Sequence, residues 1–425
     1  MKKNSEKKGQ KRILLASFFT LLNDRMSESI LLGLLPGFVR GYIPDNASLF
    51  AYIGCTYSLA QFISSPSIGL CSDRFGRKPV MLTCIFGSII GISLLAFTVL
   101  FDWSNKELLI GSSSLIPIYL LFTARLIDGI SGGTVATATT VLADISTPEN
   151  RTKAFGLIGV AFGLSFLLGP SSVLIFGENS NNGYLIPILI ATVIPFINFL
   201  LVIFYLPETK PKNNNLNGKK KTGSNPFKGI FKVFKENKIK RLSLAFFIYF
   251  IAFTGLTTIV VYFLQESQGW GIKASNGPLV VVGIFAIIVQ GVLIGPLVKK
   301  FGELKLTVIG SAFILTACLL LVTFPEKNYG SYIYIPVSFL AIGAGLITPT
   351  IRALISKRID KNNQGSILSN LQGLQSLGSV LGYILAGNIY DLFGPRSPFI
   401  AGGIILSFMV WLITGSDIQK KVKIV

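Results

Sequence analysis

The sequence predicts an all-α polytopic membrane protein with twelve transmembrane helices in two pseudo-symmetric six-helix bundles. Three observations predict it. Hydrophobic residues fill 51% of the 425 positions and charged residues only 14%, against roughly 25% charged in an ordinary soluble protein. Twelve apolar runs each approach the length, about 20 residues, that crosses roughly 30 Å of hydrocarbon. The charges gather in short stretches between those runs. Together these exclude an ordinary cytoplasmic enzyme and disfavour a nucleic-acid binder, despite a net charge of +20.

In chain order the spans read as 13–36, 48–71, 79–101, 115–138, 152–176, 185–206, 242–264, 277–298, 304–324, 332–352, 366–388 and 398–415. The first has the look of a signal peptide, but it is too long and holds Asp24, Arg25 and Glu28, so it reads as part of the mature protein. Unbroken runs such as Val80–Leu100 are wrong for the short alternating strands of a barrel. Basic residues set the orientation. Arg25 and Arg125 lie inside helices, and only Arg40, Lys106, Lys273, Lys327 and Arg396 face the side opposite the termini. All other basic residues share the side of the termini, which the positive-inside rule makes cytoplasmic.

Residues 207–241 change character: KPKNNNLNGKKKTGSNP leads into a weakly amphipathic FKGIFKVFKEN. This reads as a flexible connector followed by a short surface helix. The chain thus divides into a cytoplasmic tail 1–12, a first bundle 13–206, a linker 207–241, a second bundle 242–415 and a cytoplasmic tail 416–425. An internal repeat supports the division. GLCSDRFGRK, starting at Gly69, parallels GPLVKKFGELK, starting at Gly295. Gly132, Arg151 and Gly169 match Gly345, Gln364 and Gly382 at one constant offset. Facing repeats of this kind place a pathway between them.

Gly69, Asp73, Arg74, Gly76, Arg77 and Lys78, with Pro79 opening the next helix, form the most specific string in the chain. The glycines allow close approach and a tight turn. Asp73 is suited to cap that turn or to pair with a basic neighbour, and the three cations to anchor on an anionic leaflet. A charged brace that forms in one conformation and opens in another serves as a gate.

This string closely resembles the loop signature of the major facilitator superfamily. YSLAQFISSPSIGLCSDRFGRKPVML, RLIDGISGG from Arg125, ADISTPENRTKAFGLIGVAFGLSFLLGP and NNQGSILSNLQGLQSLGSVLG resemble its twelve-helix drug:proton antiporter branch, which includes the tetracycline exporters. The resemblance implies the major facilitator fold and an acid at Asp24. It implies a cavity arginine at Arg125, which couples proton and substrate. Two departures bear on substrate: the helix-three acid of the tetracycline exporters falls at Gly91, and their second-half histidine has no counterpart in a chain with no histidine.

Charges within the hydrocarbon are costly and functional. Asp24 and Glu28, four residues apart, share a face, so one carboxylate is suited to hold and release a proton, unless Arg25 neutralises it as a structural pair. Arg125 and Asp128 also share a face; they read as a proton-responsive pair or as a permanent lock. Asp144 and Arg151 flank the following loop as gate or brace elements. Gly156, Gly159 and Gly163 form a flat stripe on helix five that runs to Gly169 and Pro170, a helix-packing face resembling the antiporter signature. The second half offers Gln290, Asn370, Gln372, Gln375 and Tyr249 as substrate-binding candidates for a neutral or cationic, partly apolar molecule. Arg352 reads as cytosolic rather than central.

The functional expectation is a secondary active transporter that exports a small organic compound or drug by alternating access, coupled to protons. The alternative is proton symport or facilitated uptake of a nutrient. No HExxH, P-loop or metal-ligand cluster suggests an enzyme, a cofactor or a metal. The expected partners are a small-molecule substrate, protons and the lipid bilayer, with no nucleic acid and a functional monomer. The expected location is the cell membrane, the inner one in a Gram-negative cell, with both termini cytoplasmic.

Overall fold

The computed structural model describes residues 2–43, 46–101, 103, 115–145, 151–177, 184–209, 234, 236, 239–323, 330–358 and 364–415. All regular structure among them is helical: α1 (Lys2–Tyr42), α2 (Ala47–Phe75), α3 (Arg77–Leu100), α4 (Ile116–Ser131), α5 (Thr134–Ile145), α6 (Arg151–Phe176) and α7 (Leu185–Tyr205) come first. Then follow α8 (Lys240–Glu266), one turn at Ile272–Ser275, α9 (Gly277–Ala286), a π-helical Ile287–Leu293, α10 (Ile294–Phe301) and α11 (Glu303–Thr323). A 3₁₀ turn (Gly330–Ile333), α12 (Tyr334–Ser356), α13 (Gln364–Phe393) and α14 (Ser397–Thr414) complete the chain. The amphipathic segment expected within the linker lies outside the described residues.

Eight described helical stretches are long and apolar enough to cross a membrane by length and composition alone. The exceptions are α1, α2, the α4–α5 pair and α13. Of these, α1, α2, α5 and α13 meet elements of the other bundle, and α4 packs on α2 and α3. Local chemistry sets several starts. Asn46 accepts a hydrogen bond from Leu49 N at 2.8 Å, capping α2. Prolines stand in the first turn of α4, α9 and α14, where a missing N–H costs nothing.

Three boundaries correct the sequence reading. The first helix begins at Lys2, so the head expected as a tail to residue 12 is helical. The fourth span is not one helix to residue 138: it breaks at Gly132–Gly133 and resumes through Ile145. The eighth span is α-helical only at its ends and π-helical around Gln290.

The repeats carry over into geometry. Gly76 (φ 109°, ψ 160°) ends α2, and Gly302 (φ 76°, ψ 159°) ends α10 at the equivalent place. Both occupy positive-φ backbone that only glycine adopts cheaply. The matched residues Arg151 and Gln364 are the first residues of α6 and α13. Gly169 packs on Ser29 and Ile30 of α1, and its counterpart Gly382 packs on Ile251, Thr254 and Gly255 of α8.

The bundles meet where α2 begins and α13 ends. The main apolar core joins Ile30, Leu34 and Phe38 of α1 to Phe246, Ile259 and Phe263 of α8 and Ile347 of α12. At that end Asn276 donates to Gly33 O at 3.2 Å and Tyr52 donates to Asn388 Oδ1 at 2.9 Å. Asp391 accepts from the backbone N of Ala47 and of Ser48, each at 2.9 Å. At the other end, positions Gly69, Gly295 and Gly302 have nothing among the described residues within 4 Å of where a Cβ would stand. Gly69, expected to permit close approach, has no such contact.

Candidate functional site: a charge cluster facing the second bundle

Burial of α4 begins with two glycines. A Cβ on Gly129 would stand 2.5 Å from Tyr57 O of α2, and one on Gly91 would stand 2.8 Å from Asp128 N. Their absence lets α4 press against α2 and α3, which carries Arg125 and Asp128 inside. Arg125 Nη1 reaches Asp128 Oδ2 at 3.2 Å, with side chains only 4% and 11% exposed. The guanidinium also lies 4.3 Å over the Tyr57 ring.

The helix break beside them has a use. Gln61 Nε2 donates to Gly132 O at 3.0 Å, satisfying a carbonyl at the break. Just beyond, Thr134 at the head of α5 donates to Asp24 Oδ1 at 3.1 Å. Tyr57 donates to the same oxygen at 3.4 Å. Asp24 Oδ2 faces Arg25 Nε at 3.3 Å, and Arg25 Nη1 donates to Glu28 Oε2 at 2.6 Å. Arg25 therefore sits between the two carboxylates that the sequence placed on one face. Asp24 is 6% exposed and Glu28 25%, so Glu28 is the more open acid.

Asn23, Asp24, Ser27, Glu28, Tyr57, Ser88, Arg125 and Asp128 enclose a cavity of about 10 Å³, on the scale of a single water. That space suits exchange of a proton and is too small for an organic molecule.

The remaining candidates fall into separate places. Gly159 faces Gln290, whose Oε1 would be 2.8 Å from a Cβ there, and Gly163 faces Ile287 N at 2.9 Å. The glycine stripe thus meets the π-helical segment of the second bundle, while Gly169 packs within the first. Pro170 lies inside a continuous α6. Tyr249 is fully buried, hydrogen-bonded to Thr348 at 2.9 Å and stacked on Phe253. Gln372 and Gln375 turn their carbonyl oxygens to Arg352. Asn370 is partly buried on α13. The side chains of Asp73, Asp144 and Arg151, and the surroundings of Gly156, lie outside the described residues. Arg74 is exposed and lies over Phe75. Arg77 Nη1 donates to Ser72 Oγ at 3.0 Å, and Lys78 Nζ to Ile203 O at 2.7 Å.

Several site residues escape the sequence reading. Glu208 supplies the cap at the start of α3: its two carboxylate oxygens accept from Arg77 N at 2.9 Å and Lys78 N at 3.2 Å. Arg352 is a correction. Its guanidinium turns inward over the Phe246 ring at 5.6 Å, instead of outward to the cytosol. Tyr383 presses its ring where a Cβ on Gly54 would be 2.5 Å away, joining α13 to α2. Only Gln61 left a signal, as a large amide within an apolar run.

The Major Facilitator Superfamily profile matches residues 13–382 and 338–423. The chain belongs to the major facilitator superfamily. It is a transporter and not an enzyme. It is 27% identical to the class C tetracycline resistance protein of Escherichia coli, over 87% of this chain and 88% of that one. It is 29% identical to the class B protein of the same organism, over 89% and 88%. Among solved structures, the human organic anion transporter MFSD10 (TETRAN) aligns with a TM-score of 0.72 at 21% identity, covering 95% of this chain and 99% of that one. The superfamily fold accounts for the paired repeats. The place where the exporter resemblance expects an acid, Gly91, is closed by contact with α4. A Cβ there would lie 2.9 Å from Asp128 Cβ, so Asp128 brings a carboxylate to the same neighbourhood from the adjacent helix.

Proposed function

We propose that this transporter exports a small organic compound or drug across the cell membrane in exchange for protons, by alternating access. The observation that carries the reading is the buried cluster of Asp24, Arg25, Glu28, Arg125 and Asp128 beside the inter-bundle contact. A proton on Asp24 or Asp128 removes the charge that holds its arginine, and the freed guanidinium repacks against the other bundle. Substrate and proton compete for the same carboxylates, so binding one weakens the other. Likeness to tetracycline resistance proteins supports the direction. The termini lie in the cytoplasm, and the end where Asp391 meets the start of α2 faces outward. The working unit is a single chain.

The test uses inverted membrane vesicles with an imposed pH gradient, following ethidium accumulation and proton efflux together. The wild-type chain accumulates ethidium and dissipates the gradient. Asp24→Asn and Arg125→Ala each lose both signals while remaining folded. Gradient-driven accumulation that persists after both changes defeats the assignment.

A further inference from the structure

Among the described residues Arg352 is a cation without a counter-ion. Its Nη2 donates to Gln375 Oε1 and, at 3.5 Å, to Gln372 Oε1, both neutral acceptors. Its Nε is buried with no hydrogen-bond partner. No described carboxylate pairs with it, and Arg25, the charge close enough to act on it from the first bundle, is also positive. A guanidinium buried in this way is costly unless something else completes its shell. The two glutamines fix its plane, and Phe246 covers one face.

Across the contact the balance is opposite. Asp24, Glu28 and Asp128 are three carboxylates against two guanidinium groups, Arg25 and Arg125. A polar thread joins the two sides: Ser376 beside Gln372 and Gln375 donates to Gln61 Oε1 at 3.1 Å, and Gln61 Nε2 donates to the Tyr57 hydroxyl at 3.3 Å. The Tyr57 hydroxyl in turn reaches Asp24. The walls that face each other are thus negative on the first bundle and positive on the second.

We propose that Arg352 is a specificity residue that receives the anionic group of the substrate, and that the preferred substrates are zwitterionic organic compounds. The carboxylate or similar oxyanion sits on the fork of Arg352, with the vacant Nε as donor, and the ammonium faces the Asp24–Arg25–Glu28 group. This rests on the exporter reading and sharpens it. The ammonium takes the place of the proton on the first bundle, which keeps the exchange competitive, while the anion satisfies a charge that otherwise has no partner.

The test measures binding to the purified full-length chain. The probes are norfloxacin, which carries a carboxylate and a secondary ammonium, and its methyl ester, which keeps the ammonium alone. Wild type is expected to prefer norfloxacin by about tenfold, the scale of a charge-assisted hydrogen bond. Arg352→Gln removes that preference by weakening norfloxacin and leaving the ester unchanged. It also unfolds at no lower temperature, because an uncompensated buried charge has been removed. Arg352→Lys, a second variant that keeps the charge, retains only part of the preference because it lacks the fork. Equal affinity for the two probes, binding of neither, or a preference that survives Arg352→Gln overturns the proposal. Ethidium-driven proton movement, measured on the wild-type chain, reports on the exporter reading separately.

Discussion

Asp391 of α13 caps the first turn of α2: its two carboxylate oxygens accept from Ala47 N and Ser48 N, each at 2.9 Å. The cap belongs to one bundle and the helix to the other. Helix starts leave unsatisfied N–H groups and a partial positive charge. Asn46 serves the Leu49 amide from within the same bundle, but Asp391 reaches the Ala47 and Ser48 amides only while the bundles are closed at this end, so this bond stabilises one conformation selectively.

Replacing Asp391 by Ala removes about 1 kcal/mol from that closed form, which is roughly a fivefold shift in population. Spin labels placed on the outer ends of α2 and α13 are expected to show the longer distance several times more often. An unchanged distance distribution would dissociate the cap from the gate.

The contact between α6 and the second bundle is set by missing side chains. A Cβ on Gly283 would stand 2.2 Å from Leu167 N, which is backbone and cannot turn aside. Gly283→Val should therefore abolish transport while leaving membrane insertion intact. Gly291→Ala serves as the contrast, since its nearest neighbour would be Val160 Cγ2 at 3.9 Å, and transport by that variant is expected within about 0.5 kcal/mol of wild type.

Arg25 holds two carboxylates while its own side chain is only 17% exposed. Removing it alone leaves buried negative charge uncompensated, a loss of about 3 kcal/mol. Arg25→Gln combined with Glu28→Gln should recover part of that stability. Thermal unfolding of the single and double variants in detergent measures the coupling; strictly additive losses would remove Arg25 from the role of bridge.

Gly76 and Gly302 share a backbone conformation but not a neighbourhood. A Cβ on Gly76 would meet Glu208 Oε2 at 2.4 Å, whereas Gly302 faces open space. Both Ala substitutions carry left-handed strain of about 1 kcal/mol or more, and only Gly76→Ala also displaces the cap on α3. Unfolding temperatures should rank wild type, Gly302→Ala and Gly76→Ala in falling order.

The hydrophobic solvent explains what the sequence could reveal. Most spans are apolar along their length and can be read from runs alone, whereas α1, α2, the α4–α5 pair and α13 are more polar, and glycine at Gly76 marks its own turn. Charges inside those runs marked Asp24, Arg25, Glu28, Arg125 and Asp128, because nothing but protein or water would accept them. Arg352 was misjudged for the same reason: one turn from the end of α12, a cation is also consistent with a cytosolic position, and only packing against Phe246 and the two glutamines decides otherwise. Asp391 and Glu208 were invisible as caps because each acts on a helix distant in sequence. The break at Gly132 left a glycine pair as its only trace, which a packing contact explains equally well.

Glu208 stands at the beginning of the 207–241 connector and grips the first amides of α3. The chain leaving α7 is therefore tied down beside the α2–α3 turn. Untying that knot would slacken the turn between α2 and α3 with no change anywhere in the segment that follows.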